Sequence, residues 1–228
     1  MTTNALITGW GMYAPSHVMT NDDLAKLVDT NDEWIVTRTG IRERRIAADD
    51  ETTTMLSVNA ARDALAVAGL DPAELDLVIV ATCTPDYPLP ATSVLVATEL
   101  GATRAAGFDL QAACSGFLYG LASGTSFVRS GMYRNVLVIG VEILSRFLDW
   151  SDRSTCVLFG DGAGAVLLQA SDQPGGMLGF DLFSDGTGCE GIIVRAGGSI
   201  NPASHATVDA RQQTIKMLGS EVYKYATR

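Results

Sequence analysis

Two apolar runs dominate the pattern along this chain, LDLVIVAT at 75–82 and RNVLVIGVEIL at 134–144. Both are rich in Val and Ile and neither alternates with polar residues, which predicts strands buried on both faces. Elsewhere the spacing becomes helical. After the Thr52–Thr54 cluster, Leu56, Ala60, Ala61, Ala64, Leu65 and Ala68 share one face, and Gly69 stops the pattern. ATSVLVATEL (91–100) predicts a helix leading to Gly101, and AAGFDLQAA (105–113) a strand. SGFLYGLASGTSFVRSG (115–131) predicts a further helix, with Phe117, Leu121 and Val128 inward and Gly131 as its terminator.

ALITGWGMYAP (5–15) reads as a first strand ending at Pro15. TCVLFGDGAGAVLLQAS (155–171) reads as a glycine-interrupted strand closed by the turn DQPGG. The order over residues 1–172 is then βαβαβαββ, an α/β layered fold with a largely parallel central sheet. Residues 21–50 lack a long apolar period and form an excursion from that sheet. A helix starts there near Asn21, with Leu24 and Leu27 as its apolar positions. Beyond residue 172, GMLGFDLFSDG (176–186) begins something strand-like and LGSEVYKYATR (218–228) begins a helix, with no returning strand. Residues 173–228 are expected to be an opening segment whose continuation is missing.

Composition narrows the function classes. The 228 residues are 47% apolar and 18% charged, which suits a globular core and excludes disorder. No apolar run reaches 18 residues, and the N-terminus lacks a basic segment followed by an apolar one, so the expected location is cytoplasmic, with no membrane span. A net charge of −10 argues against nucleic acid or an anionic membrane as main partner. Even so, Arg38, Arg42, Arg44 and Arg45 crowd into WIVTRTGIRERR (34–45). They are either a solvated loop or a cationic mouth for a phosphorylated ligand, since guanidinium forks match phosphate oxygens.

Cys83, Cys114, Cys156 and Cys189 show no CxxC spacing, and only His17 and His205 could join them, so neither a metal site nor disulfides are expected. Cys83, Cys156 and Cys189 read as small buried apolar residues. Two stretches fit the dinucleotide fingerprint, Gly9-Trp-Gly11-Met-Tyr-Ala14 and Gly160-Asp-Gly162-Ala-Gly164-Ala165. Neither leads directly into a helix whose N-terminus could meet a pyrophosphate, so close packing of glycine within a sheet explains them better.

Cys114 differs. It lies in FDLQAACSGFLYGL (108–121), at a strand-to-helix joint. There a thiolate would face unpaired backbone N–H groups and the positive end of the helix dipole, worth about 1 to 2 kcal/mol to an anion. Ala112, Ala113, Ser115 and Gly116 leave room for an acyl group and for a backbone N–H acting as oxyanion donor. On residues alone a buried structural cysteine remains the competing reading.

At these residues the chain resembles the β-ketoacyl-acyl carrier protein synthase III family. NDEWIVTRTGIRERR (31–45), FDLQAACSGF (108–117), DRSTCVLFGDGAGAVLL (152–168) and LFSDG (182–186) carry the likeness, in the family's order. The resemblance implies a thiolase-like α/β fold, its first βαβαβαββ half complete in 1–172 and its second half begun in 173–228, in a homodimer. It implies a condensing acyltransferase of fatty-acid synthesis with no permanently bound cofactor and no metal. An acyl group from acyl-coenzyme A is loaded onto Cys114, and decarboxylation of malonyl-acyl carrier protein supplies the attacking carbanion. Trp34 matches the residue that stacks on adenine, Arg38 a guanidinium beside the nucleotide, Thr30 and Arg153 further nucleotide contacts, and Gly219 the backbone along the pantetheine arm. Phe159 matches a pocket wall near Cys114, and Leu89 a residue capping the acyl pocket across the dimer. A bulky aliphatic there suggests short to medium acyl chains.

The family's catalytic histidine, asparagine and glycine-rich loop match no residue in 1–228; His17 and His205 lie elsewhere in the pattern. The expectation is therefore acyl transfer to Cys114 without efficient condensation by these residues alone. A priming ketosynthase of polyketide or quinolone synthesis, a non-catalytic fragment and a cysteine hydrolase are the alternatives.

Overall fold

The computed structural model describes residues 3–227. The chain divides into two compact units. One holds the chain up to Ser16, Ala47–Ile143 and Asp161–Leu182; the other holds His17–Ile46, Leu144–Gly160 and the chain from Phe183. Strand β1 (Asn4–Tyr13) opens the first unit, and β2 (His17–Thr20), α1 (Asn21–Ala25), α2 (Asp32–Thr39) and β3 (Glu43–Ile46) follow in the second. The first unit resumes with α3 (Thr53–Ala68), β4 (Leu77–Ala81), α4 (Thr92–Leu100), β5 (Ala106–Leu110), α5 (Gly116–Arg129) and β6 (Asn135–Ile143). Helix α6 (Arg153–Cys156) belongs to the second unit and β7 (Asp161–Ser171) to the first. The second unit continues with β8 (Ile192–Val194), α7 (His205–Asp209), β9 (Ile215–Met217) and α8 (Gly219–Ala226).

Within the first unit the order is βαβαβαββ, as the periodicity predicts. Its sheet runs β1-β7-β6-β4-β5. The sheet is mixed rather than largely parallel: β4 pairs parallel with β5 and β6, whereas β7 runs antiparallel to both β6 and β1. Parallel neighbours need a crossover helix across one face. Helices α4 and α5 supply such crossovers, but no helix of the first unit intervenes between β6 and β7.

All five residues of β4 are buried, and their alternation sorts them between two helical layers. Val78 and Val80 join the core with Leu56, Ala60, Ala64 and Leu65 of α3, while Leu77 and Ile79 join Leu121 and Val128 of α5. Gly9 and Gly11 of β1 have a packing role, not a nucleotide one. A Cβ on Gly9 would lie 2.0 Å from the Ala64 carbonyl oxygen, and one on Gly11 2.2 Å from that of Ala60, so α3 can approach β1 only over glycine.

Helix starts in this unit depend on carboxylates from other elements. Thr52 caps α3 by accepting the Met55 N–H, and Asp86 accepts the N–H groups of Thr53 and Thr54 at 2.7 and 3.0 Å. Helix α4 has Ala91 at its cap position and no cap of its own. Asp109 of β5 instead accepts the Thr92 and Ser93 N–H groups at 2.7 and 2.8 Å.

The second unit's core gathers Leu24, Ile35, Leu148, Cys156, Val157 and Ile215. Leu27 does not join it: α1 ends at Ala25 and Leu27 is 54% exposed. Arg44 is buried rather than solvated. Its guanidinium donates to Asn21 Oδ1 (2.9 Å), Met19 O (3.2 Å) and Val157 O (3.2 Å), tying three segments of this unit together. Two strand expectations shift as well. Thr155 and Cys156 lie in α6, which Asp152 caps by accepting the Ser154 N–H, and residues 177–185 form no strand. Leu178 and Phe183 there stand 93% and 84% exposed, with no partner strand among the described residues to pair the segment. No described helix is long and apolar enough to cross a membrane.

Candidate active site

Strand β5 delivers the chain to Gln111, and a tight turn at Ala113–Ser115 passes it into α5. The Ser115 N–H closes the turn on the Ala112 carbonyl at 3.1 Å. Ala113 adopts φ +47°, a left-handed conformation uncommon for a residue with a Cβ. Gly116 lets α5 begin close over the end of β4, since a Cβ there would meet the Ala81 Cβ at 3.2 Å. Cys114 sits in this turn with its thiol exposed, and no side chain caps α5. Like that of Ser115, the Gly116 N–H is turned inward, onto the Ala113 carbonyl.

Behind the turn lies a polar group that the sequence pattern did not reveal. Glu142, near the end of β6, accepts the Cys83 N–H at 2.8 Å on one oxygen and the Thr84 hydroxyl at 2.6 Å on the other. Thr84 Oγ1 in turn accepts the Ile143 N–H at 2.9 Å. Cys83 is half-buried rather than a mere core filler. Burial pushes the Glu142 carboxyl up from its ordinary range, although its hydrogen bonds oppose this. Burial, reinforced by the Glu142 charge, pushes the Cys83 thiol up too. The available signal was a single Glu inside the apolar run RNVLVIGVEIL. Cys156 is fully buried as expected, but Cys189 is exposed.

The second unit brings three predicted nucleotide residues together. Asn31 caps α2 by accepting the Trp34 N–H at 2.7 Å. One turn later Arg38 places its guanidinium carbon 4.6 Å from the centre of the Trp34 ring. Arg153, at the start of α6, places its own 5.0 Å from the same ring and donates to the Asp29 carbonyl at 2.7 Å. Beside Asp29, the buried Thr30 hydroxyl has no hydrogen-bond partner among the described residues. An aromatic plane attended by two cations and an unspent hydroxyl can stack a purine and meet phosphate oxygens.

The other predicted residues are dispersed. Phe159 packs against the second unit's core. Gly219 opens α8, and among the described residues no hydrogen bond or ring contact joins it to the Trp34 group. Leu89 is 85% exposed in the first unit. His17 and His205 are both exposed.

Known proteins resemble this chain in sequence and in fold. The family described as 3-Oxoacyl-[acyl-carrier-protein (ACP)] synthase III matches residues 108–186, the segment around Cys114. β-Ketoacyl-[acyl-carrier-protein] synthase III of Roseiflexus castenholzii is 55% identical over 228 residues, covering 100% of this chain and 69% of that protein. The crystal structure of 3-oxoacyl-[acyl-carrier-protein] synthase III from Aquifex aeolicus matches with a TM-score of 0.86 at 46% identity, covering 98% of this chain and 67% of that one. The priming β-ketosynthase of the R1128 polyketide biosynthetic pathway matches with a TM-score of 0.87 at 40% identity, over 99% of this chain and 66% of its own. The chain thus spans about two thirds of the length of these relatives. With this identity along its whole length, the chain belongs to the β-ketoacyl-acyl carrier protein synthase III family, whose members are condensing acyltransferases of thiolase-like fold.

Proposed function

We propose that Cys114 is the acyl-accepting nucleophile of a β-ketoacyl-acyl carrier protein synthase III that begins fatty-acid synthesis in the cytoplasm from a short acyl-coenzyme A and malonyl-acyl carrier protein. One observation carries the reading: an exposed thiol in a left-handed turn at the uncapped start of α5, in a chain of this family. In the first step the Cys114 thiolate attacks the thioester carbonyl, and a backbone N–H of the turn serves as donor to the developing oxyanion. The C–S bond to coenzyme A breaks, the coenzyme A thiolate leaves and takes up a proton, and an acyl-cysteine remains. In the second step malonyl-acyl carrier protein loses carbon dioxide, and its carbanion attacks the acyl carbon and expels the Cys114 thiolate. Neither His17 nor His205 is assigned a part in that step.

Trp34, Arg38, Arg153 and Thr30 hold the nucleotide end of coenzyme A in this reading. Gly219 lines the pantetheine arm, and Phe159 and Leu89 line the acyl pocket. Coenzyme A enters as a substrate, so no resident cofactor or metal is required. The same reading takes residues 1–172 as the nucleophile-bearing half and 173–228 as the start of the second, supported by β7 ending at Ser171. A homodimer is part of it, supported by β5 having, among the described residues, a strand neighbour on one side only and by the exposure of Leu89. A priming ketosynthase of polyketide synthesis is the second reading, favoured by the match to the R1128 enzyme.

Intact-mass spectrometry after incubation with acetyl-coenzyme A tests the first step. A gain of one acetyl group, mapped to Cys114 and absent in Cys114→Ala, is expected. Labelling that survives Cys114→Ala would remove the proposal. Profiling acyl donors from two carbons upward separates the two readings.

A further inference from the structure

The bonds that hold the start of α6 have no part in the acyl transfer. The turn 149–152 is built on Asp149, whose side chain is only 10% exposed. Its Oδ1 accepts the Ser151 N–H at 3.0 Å and the Ser151 hydroxyl at 2.6 Å, and its carbonyl accepts the Asp152 N–H at 2.8 Å. Asp152 then caps α6 by accepting the Ser154 N–H at 3.0 Å and the Ser154 hydroxyl at 2.6 Å. Arg153 stands between these two bonded residues, so the turn fixes where its side chain departs. That side chain reaches the Asp29 carbonyl at 2.7 Å and lies 5.0 Å from the centre of the Trp34 ring.

A second tie comes from a distant part of the chain. Arg211 follows α7 in a left-handed conformation, φ +52°, which persists in a residue with a Cβ only where surrounding contacts hold it. Its N–H donates to the Val208 carbonyl at 2.9 Å, and its own carbonyl accepts the Thr214 hydroxyl at 2.7 Å. From there Nη1 donates to Asp149 Oδ1 at 2.6 Å and to Ser151 Oγ, while Lys216 of β9 lies 3.7 Å from Asp149 Oδ2. Asp149 Oδ1, Ser151 Oγ and Arg211 Nη1 thus close a triangle, and its charged members make it stronger than a neutral turn.

We propose that Asp149 and Arg211 are positioning residues for Arg153: they lock the turn before α6 so that the first residue of that helix faces Trp34. The inference rests on the reading of Trp34 and Arg153 as the nucleotide site. Arg153 is then held at that site before coenzyme A arrives, and binding does not have to order its side chain.

Two measurements on the full chain test this. Calorimetric titration with coenzyme A compares Arg153→Ala, Asp149→Ala, Arg211→Ala and the double variants that join Arg153→Ala to each of the others. Each single variant is expected to weaken binding about five- to tenfold. In the Arg153→Ala background, Asp149→Ala and Arg211→Ala should weaken it no further, because their effect passes through Arg153. A general loss of stability would instead add in both backgrounds. Independently, nuclear magnetic resonance on the ligand-free chain reads the Arg153 Hε resonance, which the Trp34 ring current shifts upfield. In Asp149→Ala and Arg211→Ala it should move toward the position of a free arginine. An unmoved resonance, losses of binding that persist in the Arg153→Ala background, or parent affinity in both single variants where Arg153→Ala is weakened, overturns the proposal. Should Asp149→Ala fail to fold, Arg211→Ala decides by itself, since that side chain is 59% exposed. If Arg153→Ala binds coenzyme A like the parent, the nucleotide reading fails, and the resonance still decides whether Asp149 and Arg211 position Arg153.

Discussion

At the scale of single residues, Glu142 stands where burial opposes its ordinary behaviour. Burial raises the Glu142 carboxyl above its unfolded value, so the folded state favours the protonated form. The stability associated with that proton is fully present below the unfolded value, ~4.3, and is lost as pH rises through the folded one. Urea melts of the parent and Glu142→Gln should therefore show the stability difference moving in the variant's favour as pH rises from about 4, because Gln cannot ionise. A difference independent of pH would refute this. At the proposed nucleotide group, Trp34→Ala removes the ring that both Arg38 and Arg153 face. Calorimetric titration should show coenzyme A binding weakened by about 1 to 3 kcal/mol, the worth of stacking one base. Of these residues, Cys114, Trp34, Arg38 and Arg153 could be picked out from sequence because a family pattern surrounds them. Glu142 could not: a carboxylate in an apolar run shows its partners only once β6 lies beside the 82–84 segment. Arg44 misled for the opposite reason, since a cluster of arginines reads as solvated until Asn21 and two carbonyls are seen to enclose one of them.

At the scale of elements, hydrophobic period located every strand and helix of the first unit, because each buries a face against a neighbour and burial leaves its period in the sequence. Short elements in the second unit escaped. Helix α6 and strands β8 and β9 have three or four residues each, too few to show a period. Strand direction escaped as well, since antiparallel and parallel buried strands have the same composition. Capping from a distance was equally hidden. Ala91 offers α4 nothing, and the missing acceptor comes from Asp109. Asp109→Ala should destabilise the chain by about 1 to 2 kcal/mol, the worth of a helix cap, read as a lower urea midpoint at unchanged slope. An unchanged midpoint would show that solvent caps α4 equally well.

At the scale of the whole molecule, the open side of β5 and the exposed Leu89 bear on assembly. Sedimentation equilibrium should report a dimer, and Leu89→Asp should shift it toward monomer, since a charge at the core of a contact leaves an unpaired, desolvated ion. A monomer in the unaltered chain would set the homodimer aside. The pairing of β1 with β7 has a consequence of a different kind, in the order of synthesis. Asn4 lies opposite Ser171, and among the described residues β7 is the only strand bonded to β1. At ribosomal rates of about 5 to 20 residues per second, the first strand made waits on the order of ten seconds for its partner to emerge. During that time its apolar residues and unpaired amides are available to trigger factors and proteases alike. Stalled nascent chains released before residue 161 should be cleaved within β1, whereas chains extended past Ser171 should resist, so this strand marks the moment at which the newborn sheet closes.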